Sequence, residues 1–148
     1  MSRTQARFTQ GRELKWQEVA LEQPLLDFNA ILGRESTQSV AYAVCYLRSE
    51  APQPGLEMLV GGDREAKLYL NGKEVYRAHA TRHHAGFPHH APNVALNAGL
   101  NALVLKVIPG TFDWKASICL TDTQGNPVKG VQVTLDPDAK EKADLKKP

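Results

Sequence analysis

Apolar residues alternate through much of this chain. Over residues 40–48, Val40, Tyr42, Val44 and Tyr46 share one parity, and Ala41, Ala43, Cys45 and Leu47 share the other. A period of two belongs to a strand, whose successive side chains point to opposite faces. Neither parity is polar, so this strand is expected inside a sandwich or against a covering segment. Residues 67–76, Lys67-Leu68-Tyr69-Leu70-Asn71-Gly72-Lys73-Glu74-Val75-Tyr76, read as strand, two-residue turn, strand. Asn and Gly tolerate positive φ at the centre of a type I′ turn, whose twist matches the strands it joins. Residues 100–108 are almost continuously apolar, which predicts a central strand. Further strands are expected at 15–21, 56–60, 93–97, 114–120 and 131–135, and the apolar run 25–32 fits either a strand or a helical turn. Pro52, Pro54 and Gly55 predict a loop, and the Pro- and Gly-containing stretch 79–92 predicts a longer one. At least seven short strands separated by turn signals, with no strand–helix–strand alternation, predict an all-β antiparallel sandwich.

The pattern fades at both ends. Residues 1–14 read as a flexible polar arm, residues 15–135 as the β-sandwich domain, and residues 136–148, rich in Lys, Asp and Glu, as a charged tail or linker. A length of 148 residues suits one domain. The net charge of +2, without a long Lys/Arg run, argues against a nucleic-acid partner. No stretch of about 18 apolar residues predicts a membrane span. Residues 1–15 lack the apolar core of a secretory signal, so the chain is expected to be cytoplasmic or a domain of a larger exported protein. Cys45 and Cys119 make no disulfide framework, and their place in predicted strands suggests buried free thiols.

One order of features carries a resemblance. Ala41-Tyr42-Ala43-Val44-Cys45-Tyr46-Leu47 is followed by Leu59-Val60-Gly61-Gly62-Asp63, then by Leu68-Tyr69-Leu70-Asn71-Gly72-Lys73-Glu74-Val75. Leu96-Asn97-Ala98-Gly99-Leu100-Asn101-Ala102-Leu103-Val104-Leu105-Lys106-Val107 comes next, then Trp114 and a closing strand. Across residues 16–135 this resembles the galactose-binding-like jelly-roll modules appended to large bacterial proteins, glycoside hydrolases among them. The resemblance implies an antiparallel jelly-roll β-sandwich and a carbohydrate or cell-surface polymer as partner. Arg64-Glu65-Ala66 follows Asp63 where the pattern has a further small or acidic residue, which argues against a calcium site there. The shared residues also have structural uses: Asn71-Gly72 makes the turn, Gly99 eases the chain into the next strand, and Asn101 caps a neighbouring backbone group.

The candidate chemistry is sparse. All the histidines fall within 79–90: His79, His83, His84, His89 and His90. His79, His83 and His89 offer imidazole nitrogens to a divalent metal, although no zinc spacing is matched and the stretch contains no Cys, Asp or Glu. A solvated loop making ordinary hydrogen bonds explains the same composition. Sugars stack on aromatic rings, and Tyr69, Tyr76, Phe112 and Trp114 are possible platforms. Trp114 shares its parity with Ile118 and Leu120, which also suits a core position. Arg82, His83, His84, Phe87 and Trp114 form the proposed ligand set, at edge loops of the sandwich. No nucleophile elbow, zinc-protease helix or phosphate loop is present, so no enzymatic activity is expected. The expected function is a non-catalytic binding module without an obligatory cofactor. The alternatives are a structural or assembly subunit that docks on a partner protein through the His-rich loop and N-terminal arm, and metal binding by that loop.

Overall fold

A computed structural model describes residues 6–7, 13–14, 16–21, 25–32, 40–62, 65–78, 89–108 and 114–138. Among these the strands are β1 (Ala6–Arg7), β2 (Glu13–Leu14), β3 (Leu26–Asp27), β4 (Ala41–Ser49), β5 (Gln53–Gly62), β6 (Glu65–Leu70), β7 (Lys73–Ala78), β8 (His89–Leu96), β9 (Gly99–Ile108), β10 (Lys115–Thr121) and β11 (Val131–Thr134). The single helix among the described residues is α1 (Phe28–Leu32). It starts where Asp27 Oδ1 accepts the Ala30 N–H at 3.2 Å, an N-cap bond, so the ambiguous run 25–32 is a short strand turning into one helical turn.

The Asn71-Gly72 turn is the hub of the topology. Both residues have positive φ, 51° and 79°, as a primed turn requires. Outward from that turn, the chain pairs with itself in nested antiparallel steps: β6 with β7, β5 with β8, β4 with β9, and β3 with β10. Successive pairs go to alternate sheets. One sheet has the order β3-β10-β5-β8 and the other β11-β4-β9-β6-β7, while β1 and β2 form a separate two-stranded ladder. A single cluster of buried side chains draws on both larger sheets: Leu56, Met58, Val60, Val94 and Leu96 from one, Leu47, Leu68, Leu70, Leu103, Leu105 and Val107 from the other. The molecule is therefore an all-β sandwich of two antiparallel sheets. Strand β9 lies between β4 and β6, the central position its apolar run predicts.

Several boundaries depart from the sequence expectations. Strand β5 starts at Gln53 and runs through Pro54 and Gly55, where a loop is expected. This stretch lies beyond the part of β5 that pairs with β10, and its register against β8 shifts there, so Pro54 breaks no ladder on the β10 side. Strand β8 begins at His89, inside the stretch read as a long loop. It is a sheet edge, which tolerates Pro92, and Asn93 at φ 60° absorbs a second register shift. Residues 16–21 are not a strand, and residues 6–7 pair with residues 13–14 inside the stretch read as a flexible arm. Cys119 is exposed, contrary to the expectation of two buried thiols, because its parity on β10 points away from the core.

Candidate functional site

The strands β4, β9 and β6 each bury one parity and present the other. Ala41, Leu47 and Ser49 of β4 are buried, as are Asn101, Leu103, Leu105 and Val107 of β9 and Ala66, Leu68 and Leu70 of β6. The opposite parity places Tyr42, Val44 and Tyr46, then Ala102, Val104 and Lys106, then Glu65, Lys67 and Tyr69 on the outer face. The expectation that both faces of β4 are covered is not met. A two-layer sandwich buries only one face of each sheet, and Tyr42 is 47% exposed.

The register puts these side chains in rows. Tyr42 is opposite Lys106, Lys106 opposite Lys67, and Lys67 opposite Arg77 on β7. In the next row Val44 is opposite Val104, Val104 opposite Tyr69, and Tyr69 opposite Glu74. Tyr46 lies opposite Ala102. Lys106 Nζ sits 5.9 Å from the centroid of the Tyr42 ring, within cation–π range. Arg77 donates from Nε to Glu74 Oε1 at 2.7 Å and from Nη2 to Glu74 Oε2 at 2.9 Å. These bonds and the carboxylate charge hold the guanidinium protonated beyond its already high value. Lys67 makes no ion pair among the described residues.

Beneath one end of this face a polar clasp fixes the register. Asn71 N–H donates to Ala102 O at 2.9 Å, and Ala102 N–H donates to Asn71 Oδ1 at 2.9 Å. Asn71 Nδ2 donates to Asn101 Oδ1 at 2.9 Å, and the Asn97 N–H donates to the same oxygen at 2.9 Å. Asn101 Nδ2 lies within hydrogen-bond distance of three carbonyls, those of Leu47, Asn97 and Gly99. Asn101 is fully buried and its polar atoms are satisfied, which is the condition for a polar side chain in a core. The clasp ties β6 to β9 and the end of β4, and so sets the alignment of Lys67 with Lys106.

The residues proposed from sequence fare differently. Arg82, His83, His84 and Phe87, with His79 and Phe112, lie outside the described residues. His89 falls in β8, so it is on a sheet edge and not in a loop. Trp114 is only 2% exposed and packs on Phe28, with ring centroids 5.3 Å apart and planes at 37°. A ring enclosed in this way has no face to offer a sugar, so Trp114 belongs with the core. Its Nε1 has no hydrogen-bond partner among the described residues. Tyr76 also packs against the core, and burial pushes its hydroxyl up.

The four-stranded sheet offers a different outer face. His90 is opposite Leu59, which is opposite Cys119, and His90 Nδ1 lies 3.2 Å from Glu57 Oε2. Among the described residues no group of three or more His, Cys, Asp or Glu could hold a metal ion, and no helix is long and apolar enough to cross a membrane. The tyrosines and lysines of the five-stranded face are the residues that sequence reasoning overlooked, apart from Tyr69. Their signal was parity: each alternates out of phase with buried leucines. No protein-family model, curated protein or solved structure matches this chain.

Proposed function

We propose that this chain is a non-catalytic carbohydrate-binding module built as a jelly roll, with the outer face of the five-stranded sheet as its binding surface. The nested pairing, shared alternately between two sheets, is the arrangement that supports a jelly-roll reading. The observation that carries the function is the display of Tyr42, Tyr46 and Tyr69 on one face of one sheet, bordered by cations. Tyrosine is a good strand former, so its presence alone has a bland explanation. Its clustering on the solvent parity, while leucines fill the inner parity, is what favours a ligand. Tyr rings supply apolar faces for sugar rings and hydroxyl tips for hydrogen bonds at low entropy cost.

The test is calorimetric titration against a panel of polysaccharides, comparing the parent chain with a Tyr42→Ala/Tyr69→Ala variant. Saturable binding that falls about tenfold or more, equivalent to about 1.4 kcal/mol, in a variant with unchanged thermal unfolding supports the proposal. Binding that survives both substitutions intact sinks this choice of surface.

A second reading, docking onto a partner protein, has its own observation. Strand β11 pairs only with residues 46–49 of β4, and among the described residues nothing pairs the remaining edge, Ala41 to Cys45. That edge carries no charge, and Val133, 69% exposed, and Val40 lie near it. Uncharged open edges are templates for strand addition. Pull-down of a protein partner that an edge substitution, Val44→Lys, releases is the outcome that favours this reading.

A further inference from the structure

Resting on that carbohydrate reading, we infer that the ligand is an acidic polysaccharide, bearing carboxylate or sulfate groups, that lies across β4, β9, β6 and β7 over the row Tyr42, Lys106, Lys67 and Arg77. The five-stranded sheet holds an anomaly. Like charges directly opposite on neighbouring strands are destabilising. Here Lys67 faces Lys106 on one side and Arg77 on the other. A sheet shaped only by stability would set a carboxylate opposite each lysine. Arg77 is matched by Glu74, and Lys106 leans on the Tyr42 ring. Lys67, between them, has neither an ion pair nor a ring contact among the described residues. The other carboxylate on this face, Glu65, sits opposite Ile108, one row away.

The spacing suits a sugar chain. Neighbouring strands lie about 4.8 Å apart, close to the length of one pyranose unit in an extended β-linked polymer. Successive units of such a chain turn over, so a polymer crossing the strands would aim alternate acidic groups at the cation row. Tyr42 at one end of the row and Tyr69 in the adjacent row would meet ring faces between those groups. Three cations in one row are too few to follow a long phosphate backbone. The small net charge of +2 also points away from a phosphate polymer.

The experiment uses the full chain and three probes: a β-linked polyuronate, the same polymer with its carboxyls reduced to neutral alcohols, and polyphosphate. Each is titrated by calorimetry into the parent, a Lys67→Gln/Lys106→Gln variant, and a control Lys115→Gln/Lys129→Gln variant with equal charge loss elsewhere. Single Lys67→Gln carries the same test if the double variant unfolds. The expected result is polyuronate binding that weakens with salt, falls about tenfold in the Lys67/Lys106 variant, and changes less than about twofold in the control. Equal binding of the reduced polymer, indifferent to both lysines, overturns the acidic ligand and leaves the carbohydrate reading standing. Silence toward both sugar polymers overturns both. Polyphosphate binding as tight as polyuronate, with the same lysine dependence, marks a general cation strip and overturns the inference.

Discussion

The three central strands of the five-stranded sheet, β4, β9 and β6, turn one face outward and one inward, and the two differ residue by residue. On β6, Leu68 is buried and its neighbours Lys67 and Tyr69 point outward. On β9, Leu105 is buried between outward Val104 and Lys106. The inner face is satisfied: its apolar side chains interlock with the other sheet, and its one large polar residue, Asn101, has its bonding capacity filled. The outer face is unsatisfied: tyrosines stand partly open and lysines oppose each other. One parity is therefore explained by folding, and the other asks for a partner. Substitutions separate the two.

The largest expected effect lies inside. Trp114→Ala removes a ring that packs on Phe28 and should cost about 4 kcal/mol in urea unfolding. A cost below about 1 kcal/mol would show an accessible ring and return Trp114 to the ligand set. Next comes the clasp. Asn101→Ala leaves the Asn97 N–H and several carbonyls without their partner and should cost about 3 kcal/mol, comparable with Leu68→Ala. Set against these, Lys67→Ala and Tyr69→Ala should each move stability by less than about 0.5 kcal/mol. A loss from either as large as that from Leu68→Ala would erase the distinction between the faces.

The cysteines sharpen the same contrast kinetically. Cys45 belongs to the inner parity of β4, where burial pushes its thiol up; Cys119 is exposed on the outer face of the other sheet. With one thiol turned into the core and the other out to solvent, they should react separately. Native protein should show one fast thiol with a disulfide reagent, absent in Cys119→Ser, and a second only on unfolding. The smallest effect concerns the turn after β10. Asp122 accepts N–H bonds from Asn126 and Gln124, which hold its carboxyl below the usual carboxylate range. The unfolded chain then binds more protons in that window. The turn's contribution is in place above the usual carboxylate value and falls away as pH drops through the folded one. Acid titration of stability should show this modest loss, and Asp122→Ala should lack it.

Much of this division was legible in the sequence. Asn71-Gly72 gave the hairpin because few residues accept two successive positive φ angles. The nearly continuous apolar run placed β9 at a sheet centre, and the phase of Trp114 with Ile118 and Leu120 already favoured a core position. Other features depended on neighbours that one strand's sequence does not name. Pro54 and Pro92 read as loop residues because their tolerance rests on where a partner strand stops and which strand is an edge. The opposition of Lys67 and Lys106 is a matter of register, invisible until β6 is laid beside β9. The His-rich stretch drew the eye by composition, whereas the five-stranded face hid in plain alternation.

The most direct test of the outer face as the binding surface is residue-level mapping of amide chemical shifts as a β-linked polyuronate is added to labelled protein. Graded shifts centred on Tyr42, Lys67, Tyr69 and Lys106 are expected, with Leu59, His90 and Cys119 on the opposite sheet unmoved. Shifts confined to residues 79–88, with the five-stranded face silent, would contradict it and return the site to the His-rich stretch.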